Sequence, residues 1–158
     1  MSSNAIRQLL QQALAHHQAG RLQDANRLYR QVLAQQPDQA DALHLLGALA
    51  SQVGKPDDAI ALIRRAVECR PDFPEAHSNL GNVLKDQGRF DEAIAAYRQA
   101  IACKFNFPEA HSNLGVALAL NDQLDEAVAA FRQALTLRPN YPQAVSYTHL
   151  TLPTNREV

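Results

Sequence analysis

The chain has 158 residues, 46% of them apolar and 20% charged, with a formal net charge of −1. That length suffices for one compact domain or one short solenoid, and so balanced a charge excludes broad electrostatic binding to nucleic acid or to an anionic membrane surface. Two cysteines, Cys69 and Cys103, are too few for a disulfide framework and indicate a reducing compartment; with no leader pattern and no apolar run near the ~18 residues of a membrane span, the chain reads as soluble and cytoplasmic.

One interval orders the sequence. The string PEAHSNLG occurs at Pro74–Gly81 and again at Pro108–Gly115, 34 residues later. Starting units at Ile6, Ala40, Pro74 and Pro108 gives four repeats, 6–39, 40–73, 74–107 and 108–141, with no insertion or deletion. One column is Ala25, Ala59, Ala93 and Ala127. A second is always small: Ala13, Gly47, Gly81 and Gly115. A third is bulky: Tyr29, Ile63, Tyr97 and Phe131. A fourth closes each unit with Pro37, Pro71, Phe105 and Pro139. A fixed period of this kind is the mark of stacked supersecondary units.

Taken in chain order, the first unit is the least regular, with Gln12-Ala13 where the later units have Leu46-Gly47, Leu80-Gly81 and Leu114-Gly115. The third shows the plan most clearly. Ala76, Leu80, Val83 and Leu84 recur at helical spacing, and Gly88 then supplies a residue able to take the positive φ that ends a helix. A second helix is expected from about Phe90, with Ala93, Ile94, Tyr97, Ala100 and Ile101 on one stripe. Asp91 and Glu92 fall in its first turn, where the helix dipole favours acid. Pro74 and Pro108 stand in the N-terminal turn that tolerates proline. Gly81 and Ala93 let two helices approach closely, and Tyr97 fills the remaining gap. In the fourth unit Asp122 replaces the inter-helix glycine.

A fifth unit is due at Pro142-Gln143-Ala144, but residues 145–158 read VSYTHLTLPTNREV. The small-residue column falls there on His149, Pro153 interrupts the helix, and Thr148, Thr151 and Thr154 favour strand or coil. Residues 142–158 are therefore expected to be a degenerate, non-repeat tail. The run Val145–Thr154 also resembles a sequencing adapter translated in frame. On that reading the chain is a fragment, and the natural protein continues beyond Ala144. A solenoid without a polar cap is expected to leave Leu118, Val128, Phe131 and Leu135 partly open and prone to self-association.

The pattern Asn79-Leu80-Gly81, Gly88, Asp91-Glu92-Ala93, Tyr97 and Ala100, with Pro71 and Pro139 closing units, resembles the tetratricopeptide repeat. The resemblance covers Ile6–Tyr141 and implies an all-α, right-handed superhelical solenoid of four helix-turn-helix units, with the first helices lining a concave face. The AHSNLGN string and the Leu9–Arg30 stretch further resemble the repeats that precede the catalytic domain in bacterial O-linked N-acetylglucosamine transferases. In that family, asparagines matching Asn79 and Asn113 hold the backbone of the substrate protein.

No catalytic centre, metal site or cofactor is expected. The chain has no Gly-rich phosphate loop, nucleophile elbow or zinc motif. Asp57-Asp58, Asp91-Glu92 and Asp125-Glu126 recur once per unit at helix starts, which dipole compensation explains. His16 and His17 diverge by roughly 100° on a helix. His77 and His111 share one column and are expected to pack between neighbouring helices. Cys69 and Cys103 also share a column, with equivalent helices roughly 10 Å apart, beyond disulfide reach.

The expected function is therefore binding of a peptide or protein partner, without nucleic acid or membrane. One concave column holds Gln11, Leu45, Asn79 and Asn113; three residues on lie Leu14, Ala48, Asn82 and Val116. A primary amide both donates and accepts, so repeated asparagines are able to hold an extended backbone whatever its side chains. Asn79 and Asn113 are the leading candidates, with Asn82, Gln11, His44 and Lys85 beside them; the alternative reading is that Asn79 and Asn113 cap or bridge helices locally. The carboxylate clamp of chaperone cofactors is not expected: its columns fall here on Leu10, Leu14, Leu45 and Glu75, and only Asn79 agrees. Two roles remain, substrate selection for a larger glycosyltransferase-like protein, or a scaffold in a secretion or cell-envelope assembly.

Overall fold

The computed structural model describes residues 1–145; the remainder of the tail, where the repeat is expected to break, lies outside the described residues. Among the described residues, eight helices precede a final helical segment: α1 (Ser3–Gln18), α2 (Leu22–Gln35), α3 (Ala40–Gln52), α4 (Pro56–Cys69), α5 (Pro74–Asp86), α6 (Phe90–Cys103), α7 (Pro108–Leu120) and α8 (Leu124–Leu137). Each repeat is one helical hairpin, and α3, α5 and α7 begin at the residues where the period starts a unit. Residues 142–145 are again helical, and Ala144 is fully buried in the column of Ala42, Ala76 and Ala110. The register of the repeat thus extends past Tyr141.

The turns inside the hairpins have one requirement. Gly20, Gly54 and Gly88 have φ of +75°, +79° and +72°, and Asp122 takes φ +65° at the fourth equivalent position. The left-handed conformation costs a non-glycine residue roughly 1–2 kcal/mol, less for Asp than for a bulkier side chain. Packing within the hairpins explains the alternation of small and bulky columns. A Cβ at Gly81 would stand 2.7 Å from the Tyr97 ring, one at Gly115 2.7 Å from Phe131, and one at Gly47 2.6 Å from Ile63. Tyr29, Ile63, Tyr97 and Phe131 are all fully buried.

Neighbouring hairpins stack, and the asymmetry of the stacking defines two faces. First helices of successive repeats touch, α1 on α3, α3 on α5 and α5 on α7, whereas no backbone contact links second helices among the described residues. The closer-spaced helices form the inner side of a curved stack, so the odd-numbered helices line the concave wall. The gap between second helices is crossed by side chains: Arg64 on α4 reaches Glu92 on α6 at 2.7 Å, and Arg98 reaches Glu126 on α8 at 2.9 Å.

At the end of the stack Leu118 and Phe131, expected to be partly open, are buried, because they pack inside their own hairpin. Val128 and Leu135 are half-buried, and the larger exposures belong to Leu120 (56%) and Leu124 (49%).

Candidate functional site

The concave wall is most apolar at α3 and most polar at α5. In the leading column Gln11 is exposed, and Leu45, Asn79 and Asn113 are half-buried; in the next, Leu14, Ala48 and Asn82 are half-buried and Val116 is buried. In these columns α5 presents two amides and α3 two aliphatic side chains, while α1 and α7 each carry one of either kind.

The three asparagines differ in what holds them. Asn79 Nδ2 lies 2.6 Å from Nε2 of His44, in the preceding repeat. For the amide to donate, that ring nitrogen must be unprotonated. Burial lowers the His44 pKa below its ordinary 6.5, against the opposing pull of Asp41 and Glu75, and favours the neutral form. The ring is only 8% exposed and packs edge-on to Phe73 at 4.8 Å. His44 thus offers a ligand little surface and braces Asn79 instead. Asn82 Oδ1 accepts from the Tyr97 hydroxyl at 2.6 Å. Burial, with a smaller contribution from Asp86, raises the Tyr97 pKa, so that hydroxyl stays a donor. The Asn113 amide has no hydrogen-bond partner among the described residues. Lys85 stands in the last turn of α5, where its charge complements the helix dipole, 3.9 Å from Asp86 Oδ1. Gln11 lies two repeats from Asn79, so the structure gathers Asn79, Asn82, His44 and Lys85 at α3 and α5, with Asn113 one helix on.

A clasp at the repeat ends was not legible as such in the sequence. Arg70, the residue that follows α4, donates to both carboxylate oxygens of Asp41 at 2.5 and 3.3 Å and covers the Phe73 ring at 3.8 Å. Arg138 repeats it with Glu109 at 2.8 Å and Tyr141 at 5.4 Å. Lys104 keeps the ring contact, 5.2 Å over Phe107. The available signal was the column Arg70, Lys104 and Arg138, each three residues before an aromatic. The clasp neutralises Asp41 and Glu109, so of the three equivalent acids on the wall only Glu75 lacks an ion pair among the described residues.

The remaining histidines and cysteines have local roles. His77 Nε2 donates to the Pro71 carbonyl at 2.8 Å, and His111 Nε2 to the Phe105 carbonyl at 3.0 Å. Each thereby ties down the loop that precedes its own helix, a carbonyl six residues back lying within reach of the ring, and His111 is also buried and packs edge-on to Phe105. His17 donates from Nε2 to Gln52 Oε1 at 3.0 Å and accepts the Tyr29 hydroxyl at Nδ1 at 3.2 Å. His16 accepts from Arg21 at 2.8 Å. No group of three metal-ligating side chains occurs among the described residues. Cys69 and Cys103 are free thiols. No helix of the described residues is long and apolar enough to cross a membrane.

Comparison with known proteins gives the fold its family. Three family profiles match: "Tetratricopeptide repeat" over residues 16–83, "TPR repeat" over 81–122 and "Tetratricopeptide repeat" over 108–141. No curated protein matches the chain in sequence. Among solved structures, MamA superposes with a TM-score of 0.82 at 25% identity, over 88% of this chain and 81% of that one. PilF of Pseudomonas aeruginosa gives a TM-score of 0.87 at 24% identity, over 94% of this chain and 68% of that one. A mutant O-GlcNAc transferase of Thermobaculum terrenum gives 0.79 at 31% identity, over 86% of this chain but 27% of its own length. YrrB, described as a TPR protein with an unusual peptide-binding site, gives 0.78 at 20% identity, over 87% of this chain and 71% of that one. The matched segments run without a gap from residue 16 to 141 and the hairpins keep the register of the period, so the chain belongs to the tetratricopeptide-repeat family, an all-α, right-handed superhelical scaffold for binding other proteins.

Proposed function

We propose that the concave wall holds an extended polypeptide by its backbone, through the amides of Asn79, Asn113 and Asn82, with Lys85 and Gln11 at the flanks. The observation that carries this reading is the half-buried Asn113 amide, which has no hydrogen-bond partner among the described residues, whereas Asn79 and Asn82 each hold one. His44 contributes by holding Asn79 in one orientation, which lowers the ordering cost of binding. A backbone-directed site discriminates weakly among side chains. The aliphatic side chains of the wall, Leu14, Leu45 and Ala48, supply the apolar contact such a chain also needs.

The same wall suits the selection of protein substrates for a catalytic domain. The 31% identity with the Thermobaculum terrenum O-GlcNAc transferase supports a glycosyltransferase-like parent, of which residues 6–141 are the substrate-selecting repeats. The reading of an assembly scaffold makes a different demand, since it needs no backbone-directed groove. The two separate experimentally. Peptides selected from a random 12-residue phage-displayed library on the parent chain are remeasured on Asn113→Ala and on Asn79→Ala/Asn113→Ala. Each lost charge-neutral hydrogen bond is worth about 0.5–1.5 kcal/mol, so the double variant is expected to bind at least about fivefold more weakly. Equal binding by parent and double variant overturns the amide reading. For the glycosyltransferase reading, the test is whether the gene encodes a nucleotide-sugar-binding domain together with these repeats.

A further inference from the structure

The outer wall repeats its construction at two junctions and departs from it at the third. Between α4 and α6, Ile60 is buried and the Arg64–Glu92 ion pair spans the gap at 2.7 Å. Between α6 and α8, Ile94 is buried and Arg98–Glu126 spans the gap at 2.9 Å. At the junction of α2 and α4 the equivalent residues are Asn26, Arg30 and Asp58. Asn26 lacks the bulk of isoleucine. The Asp58 side chain is one methylene shorter than glutamate, and Arg30 turns back to donate to Asn26 Oδ1 at 3.2 Å in its own helix. Among the described residues no ion pair closes this junction.

The result is a cavity of about 450 Å³ between α2 and α4, floored by Leu46 and Leu49 of α3 and walled by Leu22 and Leu62. Leu46 and Leu49 are 3% and 5% exposed, so the floor of the cavity is core. Arg30, Lys55, Arg65 and Asp58 also line it, three cations against one anion, and none forms an ion pair among the described residues. The volume lies within the ~300–1,000 Å³ range of ligand pockets. A trough between two splayed helices, with an apolar base and a basic rim, is complementary to a helix whose apolar side chains recur one turn apart and whose flanks are acidic.

We propose that this trough is a second binding site, on the face opposite the asparagine wall, and that its occupant is an acidic amphipathic helix of a partner protein. Two apolar side chains of that helix enter the cavity over Leu46 and Leu49, and its carboxylates meet Arg30 and Arg65. The site is independent of the concave wall, so the two stand or fall separately.

The repeat itself supplies the variant that tests this. Asn26→Ile/Asp58→Glu gives the first junction the residues of the next two, so that isoleucine fills the cavity and Arg30 gains a carboxylate in reach. The probe is a phage-displayed library of random 15-residue peptides, selected on the parent chain. Peptides with two large apolar residues three or four apart, flanked by Asp or Glu, are expected to enrich. Their affinity is expected to fall at least tenfold on Asn26→Ile/Asp58→Glu, to weaken with added salt, and to be unchanged by Asn113→Ala. Should the filled variant lose its helical circular dichroism, Arg30→Glu/Arg65→Glu at two exposed positions gives the same test and is expected to abolish binding. The proposal is overturned if no such peptides enrich, or if the enriched peptides bind the altered chains as well as the parent. It is equally overturned if the parent self-associates and Asn26→Ile/Asp58→Glu does not, since the occupant is then a second copy.

Discussion

Gly81→Ala isolates the contact on which each hairpin depends. An added Cβ would stand 2.7 Å from Tyr97 Cε1 and 2.8 Å from Cδ1 and Cζ, where ordinary contact begins at 3.4 Å. Ring and helix must therefore separate by about 0.7 Å, the difference between 2.7 and 3.4 Å, in a site where interior packing leaves little slack. Tyr97 is fully buried, and moving it strains its 2.6 Å hydrogen bond to Asn82. Overpacking costs about 1–3 kcal/mol, a weakened hydrogen bond about 1 kcal/mol, and alanine returns about 1 kcal/mol of helix propensity over glycine. The balance is a destabilisation of about 1–3 kcal/mol, a fall in Tm of roughly 2–12 °C for a chain of this size. The first repeat shows what the ring does when alanine is present: Ala13 faces Tyr29, whose hydroxyl bonds His17 because Leu14 stands where Asn82 would be. Thermal and urea unfolding followed at 222 nm, in wild-type and Tyr97→Leu backgrounds, measure the effect. In the leucine background the penalty is expected to vanish. A rise in Tm on Gly81→Ala alone, or the same cost in both backgrounds, would refute the reasoning.

Asp122→Gly relieves the strain of φ +65° and is expected to stabilise by about 0.5–1 kcal/mol, read as an increased urea midpoint. Ser112→Ala removes a fully buried hydroxyl whose Oγ has no partner; it is expected to be neutral or to stabilise by up to about 1 kcal/mol by the same assay, where most core substitutions destabilise. His44 makes stability depend on pH. Its folded pKa lies below the unfolded value near 6.5, so between the two the unfolded chain binds more protons. The contribution is complete above pH 6.5 and declines as pH falls from there toward the folded value. His44→Leu should flatten that part of the curve, and an unchanged curve would remove the His44–Asn79 pair from the account.

The sequence reveals the repeat columns because identical local geometry imposes identical requirements at every 34th position. Gly81 facing Tyr97 and Gly115 facing Phe131 are of this kind, as is the left-handed turn at Gly88. What escapes it depends on side chains that leave their own column. His44 and Asn79 are 35 residues apart, one beyond the period, so no column pairs them. The loop ties of His77 and His111 depend on where a proline-bounded loop places a carbonyl, which spacing does not encode. The outer trough arises from two small losses of side chain, Asn26 for isoleucine and Asp58 for glutamate; each looks like ordinary surface variation until the neighbouring junctions show what it removes. Of the candidate site, the placement of Asn79, Asn82 and Asn113 on first helices was legible, and the pairing of His44 with Asn79 in particular was not.

The most direct measurement of the central claim is a titration of the chain, ¹⁵N-labelled at asparagine alone, with a peptide selected on the parent. The side-chain NH₂ resonances are separate reporters: Asn79, Asn82 and Asn113 sit on the concave wall, Asn26 borders the outer trough, and Asn121 bonds Asp91 and Gln123 away from both. The account predicts that the Asn79 and Asn113 amides shift together along one binding curve while Asn121 stays still. Shifts confined to Asn26, or binding that leaves the concave amides unmoved, would contradict it.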